Sequence, residues 1–239
     1  MASSTSSDLK LELITTGEKS GTWGTITNTN LQILEQAASG YIAVDVASSD
    51  VALALSNHAV SNGKNLYFKF TGTLAANRTV TMPDSAERVF IVEDATTRST
   101  SNYTLTIKTV SGTGIALPVG SKCLVYSDGT NINLGIRQKG YYTPTTAYTA
   151  VDGDQLLIDT SGSGIGSAIT ITLPASPSVG SEVHFIDSGN NFASNNLTIA
   201  RNGSNILGAA SNLVVNTSAS AFTLVFVNAT RGWAYKTKI

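Results

Sequence analysis

Short runs of alternating apolar and polar residues recur along most of the chain. Four clear runs, rich in β-branched and aromatic residues, are Leu66–Thr71, Arg88–Val92, Tyr103–Lys108 and Lys122–Tyr126. Gly, Asn, Asp, Ser and Pro separate these runs at intervals of about 8–12 residues, a spacing that is typical of sandwiches and barrels. No sustained helical period of 3.6 residues interrupts them. The pattern therefore predicts an all-β body that begins near Tyr41.

The first 40 residues follow a different pattern. Residues 1–8 are small and polar, and we expect them to be ordered only against a partner. In the next stretch Leu9, Leu11 and Leu13 alternate with charged residues, which predicts a short strand. A turn-rich segment with two glycines then leads to Trp23.

A short helix is predicted after this turn. Asn28 or Asn30 can provide its N-cap, Leu31 and Leu34 share one face, and Gly40 is positioned to end it. A helix of about ten residues is not stable alone in water. Its apolar face must therefore pack against another surface.

The same order of motifs occurs twice in the body, at an offset of about 90 to 100 residues. The matched segments are 79–83 with 170–174, 88–94 with 182–188, 103–108 with 196–201, 114–116 with 204–207, and 123–130 with 223–230. We interpret this as a duplication of one β-module. The predicted organisation is an N-terminal attachment segment with one helix at 1–40, followed by two tandem, related β-sandwich modules of jelly-roll type at 41–140 and 141–239.

Composition restricts the partners of this chain. Its 239 residues include 15 Lys plus Arg and 16 Asp plus Glu, so the formal net charge is -1. Phosphate binding requires a surplus of cations, and we expect no nucleic-acid partner. The apolar stretch Ala221–Val227 is far shorter than the roughly 20 residues of a membrane helix, so we expect no membrane insertion. The start of the chain lacks the apolar run of a secretory signal, and Cys123 is the sole cysteine.

Candidate catalytic residues are few. His58 and His184 do not stand at the spacing of metal ligands. Glu93 and Asp94 are neighbours on a predicted strand and point to opposite faces, so they cannot bracket one glycosidic bond. We therefore predict no catalytic, cofactor-binding or metal-binding residue, and a protein that is not an enzyme. The many serines leave a Ser-His-Asp set open as an alternative.

Two groups of motifs resemble those of bacteriophage structural proteins. Thr16–Thr25, followed by Asn28-Thr-Asn30 and the helix, resembles the N-terminal module of tail-fibre and virion structural proteins. In the body, three segments resemble a repeat in the fibres of marine tailed phages, especially those of cyanobacteria: Thr170–Gly180, Asn195–Gly203 and Gly232–Trp233. Together the matches cover most of residues 10–239.

The resemblance implies a noncatalytic virion protein that is assembled in the host cytoplasm and forms a homotrimer. We expect a short tail fibre or fibre-like appendage that docks on other virion proteins through its N-terminus and contacts host surface polysaccharide. The predicted docking residues are Leu9, Leu11, Leu13, Trp23, Leu31 and Leu34. The predicted receptor-facing residues in loops of the second module are Asn190, Asn191, Asn195, Asn228, Arg231 and Trp233.

Three alternatives stay open from the sequence. A capsid decoration or head-fibre protein would share the same modules, and the chain is shorter than typical receptor-binding fibres and has no heptads. A glycan depolymerase would require acidic pairs that converge from different strands. Trp23 and Trp233 could stack on a sugar face or serve as packed anchors, and packing is the favoured interpretation.

Overall fold

A computed structural model describes residues 3–99, 103–138 and 140–238. Within these ranges the chain is β-structured apart from one α-helix and one short 3-10 helix, so the all-β prediction is confirmed. The N-terminal elements are β1 (Ser4–Thr5), β2 (Glu12–Leu13) and α1 (Trp23–Ser39). The 3-10 helix is Asn62–Lys64.

Eleven strands follow α1 in the first half of the described chain. They are β3 (Tyr41–Asp45), β4 (Val51–Ala52), β5 (Tyr67–Thr71), β6 (Thr73–Leu74), β7 (Arg78–Met82), β8 (Glu87–Asp94), β9 (Thr97–Arg98), β10 (Leu105–Thr109), β11 (Gly114–Leu117), β12 (Lys122–Asp128) and β13 (Ile132–Gln138).

Nine strands form the second half of the described chain. They are β14 (Tyr141–Tyr142), β15 (Tyr148–Thr149), β16 (Gln155–Ile158), β17 (Ile169–Thr172), β18 (Glu182–Asp187), β19 (Leu197–Ala200), β20 (Leu213–Val215), β21 (Ala221–Asn228) and β22 (Gly232–Lys238).

The chain divides into two compact units. The first comprises the residues up to Thr97 with Leu105–Leu117 and Lys122–Gln138, and the second comprises Arg98–Thr104, Pro118–Ser121 and the residues from 139 onward. The N-terminal segment thus belongs to the first unit. The predicted boundaries 1–40, 41–140 and 141–239 stay predictions.

In the first unit the chain passes back and forth between two sheets. The five-stranded sheet has the order β13-β12-β8-β5-β3, and the four-stranded sheet has the order β11-β10-β7-β4. Strands β3, β5 and β8 pair in parallel, as do β4, β7 and β10. Each coil of the chain therefore adds one strand to each sheet, which is the construction of a β-solenoid. Strands β11, β12 and β13 then return antiparallel.

The second unit repeats this strand order. Its sheets are β14-β16-β18-β21-β22 and β15-β17-β19-β20, with parallel coils followed by three antiparallel strands. The two units together contain about six solenoid turns. The prediction of jelly-roll sandwiches was therefore wrong. An inward apolar residue at every second position suits parallel and antiparallel pairing equally, so the alternation did not distinguish the two architectures.

The strand pairing also corrects the residue match between the units. Leu124 faces Ile91 on one side, and a β-bulge separates it from Val125; Thr223 faces His184 and has the same bulge after it. Leu124 is thus the structural counterpart of Thr223. The sequence match of 123–130 with 223–230 had instead aligned Cys123 with Thr223, one position earlier. A one-residue slip exchanges the two faces of a strand, so this correction decides which side chains are compared.

The helix is longer than the sequence predicted. It begins at Trp23 rather than after Asn28, and it ends at Ser39, where the Gly40 N–H donates to the Gln36 carbonyl at 2.8 Å. The predicted end at Gly40 is confirmed. Ile33 is the one buried residue among the 17 of this helix, all of which the structure describes.

Two buried cations hold the turn before β5. The Lys64 ammonium donates to the carbonyls of Ser56 at 2.8 Å and Ala59 at 2.5 Å, and the Arg88 guanidinium donates to the carbonyls of Gly63, Lys64 and Asn65. The Lys64 side chain is fully buried. Burial, with smaller contributions from the Arg88 and Lys10 charges, lowers the pKa of Lys64 to about 8.

We expect this lysine to make the free energy of unfolding rise with pH. Between about pH 8 and 10.5, Lys64 is neutral in the folded protein and charged in the unfolded chain. The unfolded state then binds more protons, and stability increases with pH. Urea unfolding at pH 7 and pH 9.5 should show a rise of about 2 kcal/mol in the wild type that Lys64→Met loses.

Lys236→Met is the control for this experiment, because the Lys236 side chain is half exposed and pairs with Glu182 at 2.6 Å. It should keep the rise. An equal rise in Lys64→Met would contradict the role of Lys64.

Candidate functional site

Three large apolar side chains of α1 lie in solvent. Trp23 is 62% exposed, Leu31 57% and Leu34 43%. At 100° per residue, their separations of eight and three residues place all three on one side of the helix. We call Trp23, Leu31 and Leu34 the helix stripe.

The segment before the helix is tied to it by one asparagine. The Asn30 amide accepts from the Glu12 N–H at 3.0 Å and donates to the Glu12 carbonyl at 2.9 Å. The Glu12 carboxylate in turn pairs with Lys19 at 2.9 Å, and this hydrogen bond is the main cause of a lowered Glu12 pKa. Asn30 therefore orders the chain around β2 rather than capping the helix as predicted.

The other predicted docking residues differ in their exposure. Leu13 is 49% exposed, whereas Leu9 and Leu11 are half-buried. Leu13 lies on β2, which pairs with β1 through Ser4. Of the six predicted docking residues, Leu13 and the three of the helix stripe thus offer apolar surface to a partner.

The predicted receptor-facing asparagines fall into two groups. Asn190 and Asn228 are exposed. The side-chain Oδ1 of Asn228 accepts a hydrogen bond from the backbone N–H of Arg231 at 2.7 Å. Asn191 and Asn195 are half-buried, and both side-chain amides donate to the Thr160 carbonyl, at 3.1 Å and 2.9 Å. The structure therefore leaves Asn190, Asn228 and Arg231 in solvent, while Asn191 and Asn195 hold a loop together.

Trp233 lies inside the second unit, so its assignment to a receptor-facing loop was wrong. The side chain is fully buried and meets the Phe226 ring edge to face, with 5.7 Å between ring centroids. Gly232, at φ 71°, starts β22, and Trp233 pairs with Phe226 across the hairpin. The hairpin tip thus ends at Arg231, two residues before Trp233. In the sequence, the alternation of Trp233 with Tyr235 was a signal that Trp233 occupies an inward strand position.

The titratable residues singled out in the sequence have structural partners. His184 Nδ1 lies 2.7 Å from the Thr223 hydroxyl, and His58 Nε2 lies 2.8 Å from the Thr5 hydroxyl. Glu93 accepts from the Tyr67 hydroxyl at 2.6 Å on the outer face of the sheet, whereas Asp94 is buried. Among the described residues, no three His, Cys, Asp or Glu side chains form a group that could hold a metal ion.

A cleft of about 480 Å³ lies in the second unit. Its lining combines aliphatic and aromatic side chains with amide and hydroxyl groups, and includes Leu207, Leu213, Val214, Val215, Asn216, Thr217, Ser220, Phe222 and Tyr235. Burial raises the pKa of Tyr235. No receptor-facing residue predicted from the sequence lines this cleft.

One exposed apolar surface was missed by the sequence analysis. Tyr41, Leu124 and Ile136 are 60%, 36% and 70% exposed on the five-stranded sheet of the first unit. The sequence did contain a signal for this surface. A strand with one solvated face carries polar residues at every second position, whereas β8 and β12 carry apolar residues on both faces.

Comparison with known proteins adds little to this picture. No protein-family model and no curated protein matches the chain. One of the solved structures that it resembles is a chain in the structure of a chaperone–substrate complex, at 13% identity and a TM-score of 0.37. The match covers 82% of this chain and 36% of the other, so the chain spans little more than a third of that protein's length. In the described part of the chain, no helix is long and apolar enough to cross a membrane.

Proposed function

We propose that this chain is a noncatalytic structural protein of a phage virion, a short fibre-like appendage that docks through its N-terminal segment and assembles as a homotrimer. The helix stripe is the observation that carries the proposal. Three large apolar side chains stand 43–62% exposed on one side of a helix that buries only Ile33 of its described residues. The exposed part of this face is not buried within the chain and is suited to a groove on a partner.

The chemistry of the helix specifies the kind of partner. Its first turn carries no acidic residue and its last turn carries no basic residue, so charge at the helix ends contributes little to docking. Full burial of a Leu side chain contributes about 1.5–3 kcal/mol. The partner surface on the virion is therefore an apolar groove that accepts a helix.

The solenoid construction of each unit supports a structural role. Parallel coils of a solenoid stack at about 4.8 Å per strand and satisfy the backbone hydrogen bonds between neighbouring coils. The exposed amides of Asn190 and Asn228 and the Arg231 guanidinium are groups that donate hydrogen bonds to sugar hydroxyls. We assign these three residues to contact with host surface polysaccharide.

The double variant Leu31→Gln/Leu34→Gln should leave the β-units folded and reduce incorporation into particles at least tenfold, because it removes apolar surface that only the partner buries. A tenfold loss corresponds to about 1.4 kcal/mol. Immunoblots of purified particles, normalised to the major capsid protein, give incorporation, and circular dichroism reports folding.

Gln32→Ala is the matched control, because Gln32 is exposed on another side of the same helix. Incorporation of the double variant at the control level would contradict docking through the helix stripe. Immunogold labelling tests the location: gold on the tail supports a fibre, whereas gold spread over the head contradicts the fibre and identifies a capsid decoration.

A further inference from the structure

A row of five apolar side chains crosses the outer face of the five-stranded sheet in the first unit. Tyr41 pairs with Tyr67, Tyr67 with Ile91, Ile91 with Leu124, and Leu124 with Ile136, so one residue from each strand contributes. Tyr67 and Ile91 are half-buried by their neighbours, and the other three are exposed. We call these five residues the outer row.

The apolar surface extends beyond this row. Val89 and Tyr126 pair with each other two residues along β8 and β12 and are 51% and 40% exposed. A shallow depression of about 320 Å³ lies on the same face, lined in part by Tyr67, Ile91 and Ile136. Together these side chains expose on the order of 500 Å² of apolar surface, which is near the upper end for a patch on a monomer.

The second unit shows that the fold does not require this apolar row. The corresponding residues, matched by strand pairing and by the shared bulge, are Tyr141, Gln155, His184, Thr223 and Thr237. Four of these five side chains are polar, and the buried Thr223 hydroxyl lies 2.7 Å from His184 Nδ1 within this row. The apolar residues of the outer row therefore serve something that the second unit lacks.

We infer that the outer row is the interface through which this chain packs against further copies of itself. A stable interface buries about 800 Å² per partner, of which about 60% is apolar. The exposed apolar surface around the outer row meets that requirement. The formal net charge of -1 leaves little repulsion between copies.

The charges beside the outer row are complementary between copies. Lys69, Glu93 and Lys122 lie on three adjacent strands of the same face and alternate in sign. Lys69 and Glu93 are already 3.9 Å apart within one chain. The same row on a second copy can match this alternation, with Glu93 of one copy against Lys69 of the next. This alternation favours a copy of the same chain over a partner of uniform charge.

This inference rests on the proposed function only for the expected number of copies, which is three in a homotrimer. Sedimentation velocity and light scattering on the purified full chain measure the oligomer directly. The test variant is Leu124→Thr/Ile136→Thr, which introduces the side chain that the second unit has at the corresponding positions, Thr223 and Thr237. The second unit already accommodates threonine there, so we expect the variant to fold.

The wild type should be an oligomer at about 10 μM, and the variant should be a monomer with a dissociation constant raised at least 100-fold. Thr237→Ala, in the polar row of the second unit, should keep the wild-type mass. A wild type that is monomeric up to about 100 μM would overturn the inference, as would a variant that keeps the wild-type mass.

Two further variants make the result unambiguous. Ile136→Lys alters only the most exposed residue of the outer row, 70% exposed on an outer strand, and replaces the double variant if that one does not fold. Leu31→Gln/Leu34→Gln should keep the oligomer while losing incorporation. Failure of the interface and failure of the docking proposal are therefore separate outcomes.

Discussion

Replacing Trp233 with Ala should lower the free energy of unfolding of the second unit by about 3–5 kcal/mol. The side chain is fully buried and packs edge to face on Phe226 in a core that also contains Phe185, Phe192 and Leu224. Removal of the indole loses its apolar burial and leaves a cavity that strands on both sides prevent from collapsing. Its N–H has no hydrogen-bond partner among the residues that the structure describes, so the loss comes from packing rather than from a broken hydrogen bond.

Trp23→Ala is the matched control for Trp233→Ala, because Trp23 is 62% exposed. We expect it to change stability by less than about 0.5 kcal/mol. Guanidinium unfolding followed by circular dichroism compares the two variants under the same conditions. Equal destabilisation by the two substitutions would contradict the burial of Trp233 and the exposure of the helix stripe.

Replacing Arg88 with Met should destabilise the first unit by at least about 3 kcal/mol. The guanidinium donates to the carbonyls of Gly63 at 2.5 Å, Lys64 at 3.1 Å and Asn65 at 2.6 Å, and its Cζ lies 5.6 Å from the centre of the Phe90 ring. Methionine fills a similar volume but leaves three carbonyls without this donor. The cost arises from these unpaired acceptors, since burial lowers the pKa of Arg88 only to about 10 and the group stays charged at neutral pH.

Hydrogen exchange measures this effect unit by unit. In Arg88→Met, protection should fall in β5 and β8 and persist in β18, because Arg88 and the three carbonyls all lie in the first unit. The counterpart of Arg88 in the second unit is Ser181, so that unit does not depend on such a residue. Arg231→Met, at an exposed position, should leave protection unchanged. Unchanged protection in β8 of Arg88→Met would contradict the role of the guanidinium.

Local patterns were sufficient for some elements. Alternation in segments such as Arg88–Val92 predicted strands, and Gly40 marked the end of the helix, because period and capping depend on neighbouring residues. The start of the helix was missed by at least six residues, since its N-cap is Thr22 rather than Asn28 or Asn30. Trp23, Gly24 and Thr25 are poor or neutral helix formers, and nothing in their sequence distinguishes them from the turn before them.

The candidate site depended on information that is not local. The sequence selected Trp23, Leu31 and Leu34 as candidate docking residues, and all three are exposed, but it also placed Trp233 in a receptor-facing loop although its side chain is buried. Which face a strand residue occupies is set by its pairing partner, and one bulged residue reverses it.

By itself, the sequence determined that this protein is β-rich, that its β-body is duplicated and that one helix precedes it, since these properties follow from periodicity and internal similarity. The tertiary structure alone decided that the strands form a solenoid, that Leu124 corresponds to Thr223, and that three residues of the outer row are exposed. These features depend on pairing between strands that are distant in sequence. An alternation of period two is compatible with several pairings, and only the assembled sheet selects one.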